Sequence, residues 1–583
     1  MLGNSGLFRT GSVLVFKRCV LGAALAICLF ALLGSQCRKS EISGEFAPPE
    51  AYLEGSKHPY FGSENPWDRR FFTEHIRQEY KRRGQRQILD IMEGRVEDAI
   101  RYCRQLLAED PNDLESRFNL CVAQLQLGQL DSALATMRLA IQRGLPFERF
   151  LAGPRDLLRP LHESAEFQRY YASHPVELLH GPMVGCVTDT SACFWVRTFH
   201  EVPVQIVLSR SKDFGSSLAS QVVRTKAESD YTAKLRVTGL EPDQLYYYHV
   251  VVDDKAVFRT EPLSFRTYPR RGEPATFVVG FGGGAGYAPW NERMWDTIRA
   301  YRPLAFLFMG DNVYINMPDF PNALHYYTYY RRQSRPEFRR LVSSCSIYAI
   351  WDDHDAATDD CWLGPYKDKP PWKLPLLEVF KQNWINPGYG DPDWPGCWFS
   401  FSIADVDFFM LDGRMYRTNP FDKNPTMLGP VQKAWLKDKL AGSKATFKVV
   451  ASPVEWSFGA KPGTRDSWSG FPDERQELFN FLAEHGIDGV VLISADRHRS
   501  EAWRIERKHG YPLYEFESSR LTNEHVHELV PGTLFGYNEK QSFGLLKFDT
   551  TVPDPTVTFE IVNIDGEVVY SLTVRRSQIS ARG

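Results

Sequence analysis

Between residues 274 and 549 the chain repeats one pattern: a short apolar run, then a segment of helical period, then another apolar run. The runs are TFVVG (276–280), LAFLFM (304–309), IYAIW (347–351), VDFFML (406–411), FKVVA (447–451) and GVVLIS (489–494). A strand that is apolar at every position needs cover on both faces, so such runs separated by helices specify a layered α/β core. The separating segments carry their own punctuation. MLGPVQKAWLKDKLAG (427–442) places Val431, Trp435 and Leu436 on one face and stops at Gly442, and PDERQELFNFLAEHG (472–486) opens on proline and closes on Gly486.

The residues just past the runs are chemically reactive types. Four runs lead directly into GDNVY (310–314), DDHD (352–355), DGR (412–414) and ADRH (495–498). Functional groups in α/β folds gather at the carboxyl ends of strands, where loops converge. One aspartate after a strand is a turn residue; four such strings, two of them with histidine, point to a site. Carboxylates and imidazoles ligate divalent or trivalent metals, and a tyrosinate adds a hard ligand suited to Fe³⁺. Two metals ~3.5–4 Å apart can hold a hydroxide and clamp a phosphoryl group, and a nearby histidine can protonate the leaving oxygen. No Walker-type loop, GxSxG elbow or HExxH helix occurs, which weakens kinase, serine-hydrolase and zincin readings.

The rest of the 583 residues divides by period. Residues 71–174 read as helical, with Gly94 and Gly128, and likewise Ala99 and Ala133, 34 positions apart. That period resembles a tetratricopeptide repeat, with RDLLRPLHESAEFQRYY (155–171) as a closing helical cap. Residues 180–268 switch to a period of two, with strand-like CFWVRT, VQIVLS, YTAKLRV and YYYHVVVD. LEPDQLY (240–246) has the spacing of a tyrosine corner, so this part resembles a fibronectin-type sandwich with Trp195 as its core aromatic. VTFEIVNIDGEVVYSLTV (557–574) reads as a hairpin across Asp565-Gly566, assigned with the tail to a separate segment, 550–583. At the other end, Arg9, Lys17 and Arg18 precede the uncharged run Cys19 to Gly34, a signal or anchor segment over 1–37, followed by a linker over 38–70. Cys37 sits in LLGSQC, similar to a lipoprotein signal except that Gln36 stands where a small residue is wanted. Export permits disulfides, with Cys186–Cys193 and Cys361–Cys397 as candidate pairs. A net charge of −3 supplies no electrostatic footprint for nucleic acid.

GDNVY, WDDHD and SADRH, with LDGRMYR, MLGPVQKAWL and SWSGFPDERQELFNFL, resemble the motifs of the alkaline phosphatase D family of metallophosphoesterases over about 180–549. The expected fold is therefore multidomain: a tetratricopeptide-like helical domain (71–174), a fibronectin-like β-sandwich (180–268) and a layered α/β metallophosphoesterase core (274–549). The resemblance implies that Asp311 bridges two metals, that Tyr314 is a phenolate on the iron side and that Asp353 binds the second metal. It implies His354 as the acid assisting the leaving group, and Asp496 and His498 as a closing ligand pair. Asp352 and Asp355 read equally as ligands, supports or turn residues. Asp412 and Arg414 resemble the family's Asp-x-Arg in a structural or substrate-orienting role, and Arg497 reads as a phosphate contact or a surface ion pair. One position departs: Gly284, in GFGGGAGY (280–287), stands where the family has an iron-ligating cysteine. Glycine cannot ligate through a side chain, so the loop reads as room for a water or a close backbone approach to phosphate. Two divalent or trivalent metal ions are expected, Ca or Mn first, with Fe left open because Gly284 replaces the usual cysteine ligand. The expected function is an extracytoplasmic phosphomonoesterase or phosphodiesterase acting on a small-molecule or lipid phosphoester. It is secreted or membrane-attached through its N-terminus, with the helical repeat either docking a protein partner or bracing the chain against the sandwich. The alternative is a catalytically degenerate binding protein working through that repeat. Loop 359–398 carries five tryptophans that read as a pocket wall or as self-packing.

Overall fold

The computed structural model describes residues 84–257 and 262–581. The N-terminal apolar run and the linker lie outside the described residues. No helix among the described residues is long and apolar enough to cross a membrane.

The described residues begin with antiparallel helices α1 (Gln85–Met92), α2 (Val96–Glu109), α3 (Leu114–Gln126) and α4 (Leu130–Gln142). The 34-residue spacing is visible in the backbone. Gly94 and Gly128 both take left-handed φ, 79° and 70°, in the turn before a helix, and Ala99 and Ala133 are fully buried where the helices meet. The expected cap is two helices rather than one, α6 (Arg155–His162) and α7 (Ala165–Ser173), after a short α5 (Glu148–Ala152). Ser164 breaks it, because its side chain accepts the Phe167 N–H and starts a new helix.

Residues 180–268 form β1 (His180–Gly185), β2 (Ser191–Arg197), β3 (Pro203–Ser209), β4 (Thr232–Thr238), β5 (Leu245–Val252) and β6 (Leu263–Arg266), with three shorter strands between them. β3, β5 and β6 make one sheet, and β1, β2 and β4 lie in another. The Tyr246 hydroxyl accepts the Glu241 N–H at 2.9 Å, the expected corner contact. Two expectations change. The sandwich is not self-contained, because β1 pairs with a strand of the α/β core at Gly185↔Ile347. Trp195 does not fill the sandwich either. Phe194 does, against Tyr248 and Phe265, while Trp195 points the other way and donates its indole N–H to Gln382 O. Neighbours on a strand face opposite sides, and the larger ring goes to the domain junction.

The core consists of two packed sheets. β7 (Thr276–Gly282), β8 (Ala305–Met309) and β9 (Ser346–Ile350) are parallel. β10 (Phe399–Ile403), β11 (Val406–Met410), β12 (Phe447–Ala451), β13 (Val490–Ser494), β14 (Ser500–Ile505), β15 (Leu513–Glu517) and β16 (Phe535–Tyr537) make a seven-stranded sheet in the order β10-β11-β12-β13-β15-β14-β16. β17 (Ser542–Asp549), β18 (Thr556–Asn563) and β19 (Val568–Arg575) complete a nine-stranded sheet, β19-β18-β17-β7-β8-β9-β1-β2-β4. The C-terminal hairpin is thus an extension of the core sheet through β17, not a detached tail. Along β8 the side chains alternate in destination. Ala305, Leu307 and Met309 share an apolar cluster with Phe408, Val449 and Val491 of the second sheet, whereas Phe306 and Phe308 join the helices on the other face. This is why the run is apolar at every position.

Those helices are α8 (Met294–Ala300), α9 (Ala323–Gln333), α10 (Pro336–Val342) and α12 (Lys373–Asn383), with α11 (Asp353–Ala356) a single turn. α13 (Gly429–Gly442) and α14 (Pro472–Glu484) pack Leu436, Leu440, Leu478 and Leu482 into the cluster of the second sheet. The tryptophans of 359–398 mostly pack inward: Trp362, Trp372, Trp384 and Trp398 are buried and only Trp394 is exposed. None of the seven described cysteines, Cys186, Cys193, Cys361 and Cys397 included, is disulfide-bonded.

Candidate active site

The strings after the apolar runs meet at one end of both sheets, beyond the carboxyl ends of β7, β8, β9, β11 and β13. A lone bridge, Gly283↔Ser519, ties the glycine loop after β7 to the chain leaving β15, so the two sheets are stitched together at the site. Asp311, Asp496 and His498 all take left-handed φ, 52°, 77° and 51°. Non-glycine residues rarely do so, and such strain collects at functional sites.

Asp311, Asp353 and His354 each place a ligand atom within 4.8 Å of the other two, and all three are buried. The His354 ring is held from both sides: Nδ1 is 2.6 Å from Asn316 Oδ1, and Nε2 is 3.1 Å from Asp359 Oδ1 and 4.0 Å from Asp311 Oδ2. His354 therefore stands among the ligand-bearing groups rather than apart from them. Tyr314 lies three residues past Asp311, and its hydroxyl is 2.9 Å from both Asp311 Oδ2 and His498 Nε2. His498 Nδ1 donates to His525 O at 3.1 Å, which leaves Nε2 as a lone pair. One phenol proton is thus contested by two acceptors. Asp311 Oδ1 is buried with no hydrogen-bond partner among the described residues. Burial, and then Asp353, Asp352, Asp355 and Asp496, push the Asp311 carboxyl well above its ordinary range. Burial and Asp311 push the Tyr314 phenol up as well. A crowd of acidic oxygens with too few protons is the donor set a cation resolves, so these residues fit the metals the fold implies.

The other predicted residues are placed differently. Asp496 is 2.9 Å from Lys461 Nζ and belongs to none of the converging ligand groups among the described residues. Asp355 accepts the N–H groups of Asp352, Asn312 and Val313 at 3.0–3.2 Å, locking the turn after β9 to the loop after β8. Burial lifts its carboxyl to about 7. Asp352 pairs with the Arg414 guanidinium. Arg414 is fully buried and grips Asp466 through two nitrogens at 2.6 and 3.1 Å, so it orders the carboxylates rather than facing open space. Asp412 accepts from Trp351 Nε1 and from the N–H groups of Cys397, Arg414 and Met415, a structural knot. Arg497 lies 3.6 Å from buried Glu455. Asp353, Asp360 and Asp466 also converge, but Arg414, Arg417 and Lys461 already neutralise Asp466, which needs no metal there.

Gly284 lies at φ 68°, and a Cβ on it would sit 3.0 Å from Ser519 Oγ, 3.3 Å from Arg520 Cα and 3.5 Å from His498 Cδ2. The position does face His498. The loop is not room for water, however: Asn523 N donates to Gly284 O, Leu521 N donates to Gly283 O, and a Cβ on Gly283 would strike Ala495 at 2.7 Å. The glycines let two chain segments touch.

Two further histidines, His525 and His527, stand against His498 with ring centroids 5.1 and 5.5 Å away. They escape the strand-end pattern because Glu515 and Glu517 interrupt the apolar run of β15. Only tertiary partners make the burial of Glu515 tolerable: the N–H groups of Trp456 and Ser457 and the Ser494 hydroxyl. His525-Val526-His527 is the one trace in sequence. The helical segment also reaches the site. Gln85 donates to Tyr314 O, and Glu115 accepts the Tyr327 hydroxyl at 2.8 Å while pairing with buried Arg149 at 2.9 Å.

Family models match three stretches: tetratricopeptide repeat at 90–145, a domain of unknown function (DUF7800) at 175–269, and PhoD-like phosphatase at 384–580. The last begins after Asp311, Tyr314, Asp353 and His354 and includes Asp496 and His498. Alkaline phosphatase D of Bacillus subtilis (strain 168) is 24% identical over 405 residues, covering 57% of this chain and 66% of the relative, just under two thirds of its length. Among solved structures, one of PhoD aligns with TM-score 0.55 and 16% identity over 67% of this chain and 92% of its own. Purple acid phosphatase PPD1 from yellow lupin aligns with TM-score 0.51 and 12% identity over 68% and 75%. The two-sheet core is thus of the PhoD and purple acid phosphatase type, and the chain carries a PhoD-like phosphatase domain behind an N-terminal tetratricopeptide repeat.

Proposed function

We propose that this protein is a metal-dependent phosphoester hydrolase, a phosphomonoesterase or phosphodiesterase of small-molecule or lipid substrates. The observation that carries the reading is the buried convergence of Asp311, Asp353 and His354 at the ends of β8 and β9, with Asp311 Oδ1 unpartnered. A divalent cation held by Asp311 and Asp353, with Tyr314 at its flank, would polarise phosphoryl oxygens and lower the pKa of a water. The protein's own part is orientation. Asn316 and Asp359 fix the His354 ring so that Nε2 can deliver a proton to the leaving oxygen, and Arg414 keeps Asp352 and Asp353 in place. The degenerate-protein alternative has less support, since Asp311, Asp353 and His354 converge with Tyr314 and His498 beside them, while Gly284 and Asp496 supply no converging ligand among the described residues. His354→Ala should lower turnover ~10²–10⁴-fold, more for alkyl than for nitrophenyl esters. Asp311→Asn should lower metal content and activity together. Equal loss on every leaving group with His354→Ala would remove the acid role.

The basic stretch and apolar run at the N-terminus support an extracytoplasmic location, with membrane attachment through that segment or a lipidated Cys37. A reporter fused to residues 1–45 that stays in the cytosol would refute it. The Tyr246 corner supports a fibronectin-type sandwich. The helical repeat seats on α9, which supports a bracing role and leaves its remaining surface for a protein partner.

A further inference from the structure

His498, His525 and His527 each offer a ring nitrogen within 4.8 Å of the other two. Their rings are steeply inclined: His498 to His525 by 78°, His525 to His527 by 87° and His498 to His527 by 55°. Inclined rings are common in aromatic packing; here the ring nitrogens also converge, as in a facial ligand set. The loop that brings the second and third histidines is built for the purpose. Asn523 N donates to Gly284 O at 3.2 Å, the Asn523 side chain accepts the His525 N–H at 3.1 Å, and Asn538 Nδ2 holds His527 O at 3.0 Å. Gly284 is thereby tied to the loop whose Asn523 precedes the two histidines, and its own position faces His498.

We propose that His498, His525 and His527 form a three-imidazole site for a borderline divalent cation of the zinc type, beside the carboxylate site of Asp311 and Asp353. Carboxylate oxygens suit Ca²⁺ and Mn²⁺, whereas neutral imidazoles suit Zn²⁺ and Co²⁺, so the two neighbouring sites select different ions. Arg497, Lys461 and Arg499 stand near His527. The same cations would repel a metal, but Lys461 is paired with Asp360, Asp466 and Asp496, and Arg499 with Glu501. His498 Nδ1–H on His525 O fixes the tautomer that a ligand needs.

The test uses the full chain, stripped with chelator, with Co²⁺ as optical probe and Mn²⁺ as paramagnetic probe of the carboxylate site. Neither readout requires turnover, so failure here is distinguishable from failure of the phosphoesterase reading. The wild type should bind Co²⁺ with the visible bands of a low-coordinate imidazole complex, displaced by Zn²⁺. His525→Ala and His527→Ala should each weaken Co²⁺ binding by at least about tenfold and leave Mn²⁺ binding unchanged. His527→Gln, which keeps the loop's bulk, should do the same with an unchanged thermal melt. Unaltered Co²⁺ spectra in the histidine variants would overturn the site. Parallel loss of Mn²⁺ would overturn it too, since it would mean one shared site.

Discussion

Alanine at position 284 isolates the backbone from the chemistry. Gly284 takes φ 68°, a conformation that costs an L-residue roughly 1–2 kcal/mol. The new Cβ would also lie 3.0 Å from Ser519 Oγ and 3.3 Å from Arg520 Cα. The hydroxyl can rotate away, but the backbone carbon cannot, and overpacking of this kind costs about 1–3 kcal/mol. Gly284→Ala should therefore destabilise the metal-free core by about 2–5 kcal/mol, read as a lower urea midpoint at unchanged slope. Gly284→Cys carries the same strain, so in metal-free protein it should match alanine. Added Fe³⁺ should separate them if the sulfur reaches His498's side of the site, with cysteine recovering stability and alanine not. Alanine within about 0.5 kcal/mol of wild type would refute the claim that close approach dictates glycine here.

Arg414→Met leaves Asp352 without its guanidinium and should cost about 3–5 kcal/mol, the penalty of stranding buried charge; a variant as stable as wild type in urea would contradict the pairing. Glu115→Gln weakens the charged contact to Arg149 between α3 and α5 and should speed proteolytic release of the helical segment without altering the core's melt. His162 is pushed down by burial from 6.5 to about 4, so between those pH values the unfolded chain takes up a proton that the folded chain does not. Its contribution is present above pH 6.5 and falls away as pH drops toward 4, and His162→Gln should flatten the pH dependence of the thermal melt over that window.

The alternation of apolar runs and helical segments was legible because both are local. β8 is apolar throughout since Leu307 meets a sheet and Phe308 meets helices, and that double burial writes itself into five consecutive residues. The 34-residue step was legible for the same reason: Gly94 and Gly128 each satisfy a turn of the local backbone. Aspartate and histidine at strand ends announced the site, and Asp311, Tyr314, Asp353, His354 and His498 do gather there.

Partnership across long sequence separations was not legible. Arg414 and Asp352 look like two more site residues until the structure joins them 62 positions apart in a buried ion pair. Lys461, which holds Asp496, belongs to no motif. Trp195 and Phe194 are interchangeable as core aromatics by composition, and only the pairing of β1 with β9 decides which ring faces the junction. Gly284 reads as a missing ligand; the contact with Ser519 and Asn523 shows a close approach that a side chain would obstruct. His525 and His527 lie beyond a strand whose buried glutamates hide it from an apolar scan. Periodicity records what each residue does to its own element, and hydrogen bonds and ion pairs between elements leave no period, so the chain alone set the layers and the tertiary structure assigned the partners.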